Sequence, residues 1–331
     1  MKLSYLNLTT TDPAFNLAAE EYVFDHLPTD RMYVMLWQND NAIIIGKHQN
    51  TLAQIDQAYV EEKGIRVVRR RSGGGAVYHD LGNLNFTIIT DAGESGELDF
   101  GRFCDIVLRA LERVGIRAER NGRNDMTIDG KKFSGNAQYI RGGRVMHHGT
   151  ILFDSDAQVL SRALQVDPEK IRAKGVDSVR SRVTNVRPWL PVDMPLAQFR
   201  RVLLESILQD YPGEEIQFTP QDLAQIDAIR AGRYDTWQWN YGRSPACTVL
   251  RKQRVEGCGT VEAYLTVDKG CIAALEFRGD FFSARDPETL AQKLTGCPYR
   301  REVLEERLRG EAVSSFFMGL DAAGLVRILW E

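Results

Sequence analysis

Hydrophobic positions along this chain change their spacing repeatedly, and each change marks the edge of an element. Asp12-Pro13-Ala14-Phe15 reads as an N-cap, a proline at N1 and the start of a helix, with Leu17, Ala18, Tyr22 and Phe24 as its apolar side through His26. Met32 to Trp37 and Ala42 to Ile45 are short apolar runs split by Asn39-Asp40-Asn41, which predicts two strands around a turn. Ile55 to Glu62 reads as a helix stopped by Gly64, and Ile65 to Arg69 as a strand. Ala76 to Tyr78 and Asn83 to Thr90 follow as strands around the Asp80-Leu81-Gly82 bend. From Asp99 to Val114 the period lengthens: Phe103, Val107, Ala110, Leu111 and Val114 recur at three and four residues, giving an amphipathic helix. Cys104 lies beside that stripe and is expected to be packing material.

The next stretch returns to strands. Met126-Thr127-Ile128 and Lys131-Lys132-Phe133 flank Asp129-Gly130, the dipeptide that favours a two-residue type I′ hairpin. Side chains alternate along a strand, so Lys131 and Lys132 should point opposite ways, with Ile128 and Phe133 as buried anchors. Ser134-Gly135-Asn136-Ala137 lets the backbone approach whatever lies beside Lys132. A second hairpin is expected at Arg141-Gly142-Gly143-Arg144, leading into Val145 to Leu152. His147 and His148 are neighbours on that strand and cannot share one metal ion; one can touch a pocket while the other is exposed or core. Ala157 to Leu164 reads as a short helix, and Lys170 to Thr184 as a basic, Ser-containing loop, either a cover over an anionic ligand or a solvated segment. Helices are expected at Leu196 to Gln209 and Gln221 to Arg230, and Trp237 to Pro245 reads as a domain junction. Beyond it, Cys247 to Lys252, Gly259 to Val267 and Cys271 to Phe277 alternate like strands, with helices at Pro287 to Leu294 and Arg300 to Leu308. The expected class is therefore α+β: a first domain over 1–245, and a small α+β second domain over 246–331 with no catalytic constellation of its own.

Composition narrows the function classes. A hydrophobic fraction of 43% and a charged fraction of 26% are those of an ordinary globular protein, and a net charge of -3 argues against wholesale nucleic-acid binding. The first residues turn polar at once and no apolar run approaches membrane-spanning length, so neither a secretory signal nor a membrane span is expected. Cys104, Cys247, Cys258, Cys271 and Cys297 form no Cys-x-x-Cys pair, which suits reduced thiols in a cytoplasm.

Against that background, Arg69-Arg70-Arg71-Ser72-Gly73-Gly74-Gly75 stands out. Glycines without Cβ atoms let backbone N–H groups approach an anion, and arginines can add forked bonds to phosphate or carboxylate oxygens. The spacing matches neither the Rossmann nor the P-loop fingerprint; a flexible surface hairpin with a solvated basic flank is the competing reading. Gly46-Lys47-His48-Gln49-Asn50 could line a pocket or simply connect elements. Taken with Lys132 and the basic loop, the cradle suits phosphate esters or an acyl phosphate, whose chemistry needs positioning and electrostatics more than a covalent nucleophile.

Several segments in register make the chain resemble the lipoate–protein ligase A family, in the superfamily that also holds biotin ligases and lipoyl/octanoyl transferases. They are Arg70 to Asp80, Asn124-Asp125, Lys132-Phe133-Ser134-Gly135, His147-His148-Gly149-Thr150 and Lys174 to Thr184, over roughly the first 245 residues. The resemblance implies a mixed sheet flanked by helices, with a small C-terminal domain that moves between steps. It implies that lipoate and ATP with Mg²⁺ form lipoyl-adenylate, and that the acyl group then passes to a lysine of an apo lipoyl domain. No tightly bound prosthetic group is implied. The acceptors it implies are E2 subunits of 2-oxoacid dehydrogenases and the glycine-cleavage H protein. Carried over by position, Lys132 is the essential lysine, Arg70 contacts nucleotide, and Gly74, Gly75, Ala76, Val77 and Tyr78 line the lipoate and adenylate site. Ser178, Arg180 and Arg182 belong to the adenylate-covering loop, and Asp125 is a candidate for Mg²⁺, whose ligands are otherwise unassigned. An ATP-independent acyl transferase of the same fold would need a cysteine carrier, and none lies between Cys104 and Cys247. A biotin ligase would carry a different Arg/Gly loop ending near a tryptophan. A non-catalytic phosphate- or RNA-binding module would leave Lys132 unexplained.

Overall fold

Asn83, Asn85 and Thr87 alternate with Leu84, Phe86 and Ile88, so one strand offers a polar and an apolar face. In the computed structural model, which describes residues 2–49, 51, 54–93, 98–164, 183–241, 249–268 and 271–330, that strand is central. It is β6 (Asn83–Asp91), paired antiparallel with β2 (Arg31–Trp37) and β10 (Arg144–Leu152). Beyond β2 lie β1 (Lys2–Asn7) and β11 (Gly213–Glu215), both parallel additions. Beyond β10 come β9 (Lys131–Arg141), β8 (Asp125–Ile128) and β7 (Glu119–Asn121), all antiparallel. The result is a mixed eight-stranded sheet in the order β11-β1-β2-β6-β10-β9-β8-β7. The marginal strands β7 and β11, three residues each, carry too short a pattern to be read from sequence alone, and β1 sets Leu3 and Leu6 among polar positions without a clean alternation.

The apolar face, with Val34, Leu36, Phe86 and Ile88, packs against two helices. These are Phe100–Arg113, whose stripe includes Phe103, Val107 and Leu111, and Leu196–Asp210, which adds Phe199 and Leu203. Cys104 is buried in this layer, where desolvation pushes its thiol up to about 12, so it is packing material as expected. The other face takes helix α1 (Pro13–His26), whose first turn is held by Asp12 Oδ1 accepting from Ala14 and Phe15 N–H. A second sheet covers the same face: β3 (Ala42–Ile45) lies between β4 (Arg66–Arg69), parallel, and β5 (Val77–His79), antiparallel. Asn41 at φ 43° makes the expected turn, yet it sends β2 and β3 into different sheets.

Two hairpins set the site. Asp129 and Gly130 take φ of 52° and 70°, and Gly142 and Gly143 take 58° and 75°, as type I′ turns require. In the first, Thr127 pairs with Lys132 but Met126 pairs with Ser134, so Phe133 is the extra residue of a bulge. That inserted residue shifts the alternation, putting Lys132 on the same face as Gly135 while Phe133 fills the core.

The C-terminal part has its own layer: an antiparallel sheet of β12 (Val249–Val255), β13 (Gly259–Asp268) and β14 (Cys271–Gly279). Helices Pro287–Leu294, Arg301–Leu308 and Ala322–Trp330 cover it around a separate cluster that includes Val261, Leu265, Leu290 and Leu304. The expected boundary at 245/246 lies outside the described residues. No helix among those described is long and apolar enough to cross a membrane.

Candidate active site

β4 delivers its arginines to the glycine turn, but none of the three is solvated. Arg69 donates to the carbonyls of Gly46, Lys47, Gln49, Trp239 and Asn240 and to Thr51 Oγ1. Burial, with Arg278 and Arg70 nearby, holds it down to about 9. Arg71 pairs with Asp25 at 2.7 Å, lies near Glu21, and rests on the Tyr139 ring. Arg70 reaches the cavity edge, and its guanidinium grips the turn itself, donating to the carbonyls of Ile44, Gly73 and Gly75 and to Ser72 Oγ. Burial lowers it to about 10, against the pull of Glu20. The arginines therefore build the cradle from behind.

The glycines are required by space. A Cβ at Gly46 would stand 2.0 Å from the Gly74 carbonyl oxygen, and Gly74 itself has φ 89°. Gly75 has nothing within 4 Å of where a Cβ would be, because it faces the cavity. The far side of the turn is closed by the C-terminal domain: Gly74 N–H donates to the Phe281 carbonyl at 3.1 Å, and the Phe282 ring lines the cavity. Arg123 stacks on that ring and donates to the carbonyls of Gly257 and Cys258.

Opposite the cradle stands Lys132. Its Nζ is 2.7 Å from Asp125 Oδ1, and it lies over Gly135, whose missing Cβ would be 3.0 Å from Nζ. Lys131, its neighbour on the strand, is exposed. The cavity between them runs across the polar face of the large sheet, past Thr150 and Asn85 to Trp37. Behind two of its lining residues, Trp37 and His148, runs a buried hydrogen-bonded chain. Trp37 Nε1–H donates to Thr87 Oγ1, Thr87 Oγ1–H donates to Glu20, and His148 joins Glu20 at 3.0 Å to Ser72 Oγ at 2.6 Å. His147 points the other way, stacked on Phe103 and bonded to Gln138 and Asn136; burial keeps its pKa well below the ordinary value. His48 leaves the cavity altogether and stacks on Phe281 between the domains.

The structure thus brings Lys132, Arg70, Gly74, Gly75, Ala76 and Val77 to one cavity. Tyr78 is not among its walls: alternation along β5 turns it to the other face, where its hydroxyl donates to Asn41 Oδ1 and its ring packs with Ile43 and Ile65. Ser178, Arg180 and Arg182 lie outside the described residues; the chain resumes at Val183, whose backbone lies beside Lys132, and Thr184 N–H donates to the Lys132 carbonyl. Trp37, Asn85 and Phe282 also line the cavity, with Glu20 behind His148, although none was expected from the sequence. The readable signal was the alternation Asn83-x-Asn85-x-Thr87 in a strand otherwise apolar; Glu20 and Phe282 carried none. Among the described residues no group of three His, Cys, Asp or Glu side chains could hold a metal ion, and no cysteine lines the cavity.

The model of the lipoyl protein ligase A/B catalytic domain matches residues 12–208, and that of the bacterial lipoate protein ligase C-terminus matches 244–329. The chain belongs to the lipoate–protein ligase family. Lipoate-protein ligase LplJ of Bacillus subtilis is 43% identical over 94% of this chain and 95% of its own length. Lipoate–protein ligase 1 of Staphylococcus aureus is 38% identical over 98% of each. The structure of P. falciparum LipL1 in complex with lipoate follows the fold over 99% of this chain and 98% of that one, with a TM-score of 0.76 at 22% identity. A lipoate–protein ligase A bound with ATP matches 73% of this chain and 99% of that one, at 27% identity and a TM-score of 0.64. A bipartite ligase of Thermoplasma acidophilum, studied with its E2 lipoyl domain, matches 75% of this chain and 100% of that one, at 29% identity and a TM-score of 0.66. As a lipoate–protein ligase, the chain catalyses ATP-dependent lipoylation of lipoyl domains.

Proposed function

We propose that the cavity between the glycine turn and Lys132 is where lipoate and ATP are joined as lipoyl-adenylate before the acyl group passes to a lysine of an apo lipoyl domain. The observation that carries this reading is the Lys132 cation placed opposite the open backbone of Gly75, with an apolar-to-polar channel leading away from it. The Lys132 ammonium would draw the carboxylate and the α-phosphate together and offset the charge that builds on phosphorus. Asp125 holds Nζ in place, and Gly135 leaves room for the side chain to lie flat. Gly74 and Gly75, in the turn that Arg70 holds through the Gly73 and Gly75 carbonyls, would present the backbone to the anion. Ala76 and Val77 would line the acyl and adenylate groups. Ser178, Arg180 and Arg182 would cover them from a segment that ends beside Lys132.

Mg²⁺ would enter with ATP, held mainly by phosphates, as this ion usually is. Asp125, paired with Lys132, is the carboxylate that fits a supporting role. Residues 246–331 would act as an accessory domain, its Phe281-Phe282 segment closing the glycine turn. E2 subunits and the glycine-cleavage H protein would be the acceptors, in the cytoplasm, serving lipoate salvage.

The test is lipoate-dependent pyrophosphate release with and without apo lipoyl domain. Lys132→Ala should lower it by about a hundredfold to a thousandfold, the usual effect of losing one transition-state donor. Folding stability should change by less than about 1 kcal/mol, because the ion pair is partly solvated. Lys131→Ala should change neither. A folded Lys132→Ala protein that releases pyrophosphate normally removes this role.

A further inference from the structure

His79 lies at the Trp37 end of the cavity, 3% exposed, with its ring centre 6.3 Å from that of the indole. Its proton is placed by residues outside the cavity. Asn16 Nδ2 donates to the carbonyls of Thr10 and Gln38, which fixes that atom as nitrogen. The same Nδ2 lies 3.0 Å from one amide atom of Asn39; a second amide nitrogen would repel it there, so that atom is Oδ1 and the Asn39 amide nitrogen faces His79 Nδ1 at 3.0 Å. An amide nitrogen only donates, so Nδ1 accepts and the ring proton sits on Nε2. Burial, with Arg70 and His148 nearby, lowers the ring to about 3 and keeps it neutral. Nε2–H has no hydrogen-bond partner among the described residues. A buried donor fixed in one tautomer and left unpaired is costly, and native structures retain few of them.

The sheet says what part of a substrate meets it. Thr150 pairs with Asn85, Asn85 pairs with Trp37, and Gly135 N–H donates to Thr150 Oγ1, so these residues form one row across four strands. Three strand spacings put Trp37 about 14 Å from Gly135, over which the Lys132 head lies. An acyl group with its carboxyl at Lys132 therefore sends its distal end toward Trp37 and His79. In lipoate that end is a dithiolane, whose sulfurs accept hydrogen bonds weakly; in octanoate it is a methyl group, which cannot accept.

Resting on the acyl-site reading above, we propose that His79 determines acyl specificity, its Nε2–H donating to a dithiolane sulfur and thereby favouring lipoate over a saturated acid of the same reach. A weak bond replacing an unpaired donor is worth about threefold to tenfold in kcat/KM.

The experiment measures pyrophosphate release by the full chain with lipoate, octanoate and 5-cyclopentylpentanoate, whose ring carries methylenes in place of the sulfurs. The wild type should favour lipoate over the carbocycle by that factor. His79→Leu should bring the two acids together by weakening lipoate alone, and His79→Gln, which keeps an N–H, should restore part of the preference. In ¹H–¹⁵N spectra of the wild type, the His79 Nε2–H resonance should shift with lipoate more than with the carbocycle. Equal use of lipoate and the carbocycle by the wild type, or an unchanged ratio in a folded His79→Leu protein, overturns the assignment. If His79→Leu does not fold, the wild-type comparison decides by itself. A wild type that activates none of the three acids overturns the acyl-site reading and this assignment with it.

Discussion

Gly75 and Gly135 show how a single missing methyl group serves a site in two ways. At Gly75 an added Cβ meets no protein atom, so Gly75→Ala should leave urea stability within about 0.5 kcal/mol. Its methyl would occupy ground that a ligand needs, and kcat/KM should fall by about tenfold or more through overpacking of the complex. At Gly135 the new Cβ would press on the flexible end of Lys132, so Gly135→Ala should lower kcat by moving the ammonium while the protein stays folded. Steady-state kinetics beside urea titrations check both. A large stability loss at Gly75 would mean that the cradle is not open to the cavity.

At the scale of elements, one guanidinium ties three segments together. Arg69 ends β4 and spends its donors on the 46–51 loop and on the helix Trp237–Asn240. Arg69→Met would leave several buried carbonyls without donors and should cost about 3–5 kcal/mol in urea unfolding. Arg69→Lys should recover little of this, since an ammonium lacks the planar fork that reaches partners in several directions. Activity should be lost with stability in both variants, unlike Lys132→Ala, where the two separate. The bulge at Phe133 acts at the same scale: one inserted residue decides that Lys132 looks along Gly135 into the cavity.

For the whole molecule, burial of neutral histidines makes stability depend on pH. His48, His79 and His147 all have pKa values lowered by burial, His79 to about 3. The unfolded chain takes up protons near pH 6.5 where the folded one does not, so their contribution is intact above that pH and falls as the pH drops. Between pH 7.5 and 5.5 His79 should remove about 1.4 kcal/mol of unfolding free energy, with His48 and His147 acting in the same direction, and His79→Gln should cancel the His79 part. Urea unfolding at the two pH values checks this; a flat profile would contradict it. His48 adds a regional consequence, because its proton would arrive against Phe281 at the contact between the two domains.

Local rules alone settled much of this protein. Periodicity located the helix around Phe103, the strands around Asn85 and His148, and both type I′ hairpins, because these depend on neighbours a few residues apart. The glycine turn, Lys132 and the family resemblance were likewise written in contiguous residues. Tertiary structure decided what the arginines do: a run of cations reads as ligand-seeking in sequence, yet Arg69 and Arg71 find carbonyls and carboxylates brought from distant segments. It also turned Tyr78 away, brought Trp37 and Phe282 to the cavity from separate elements, and set Glu20 behind His148. Those placements depend on which faces meet when two sheets and a second domain close on one another, and a one-dimensional pattern carries no term for that.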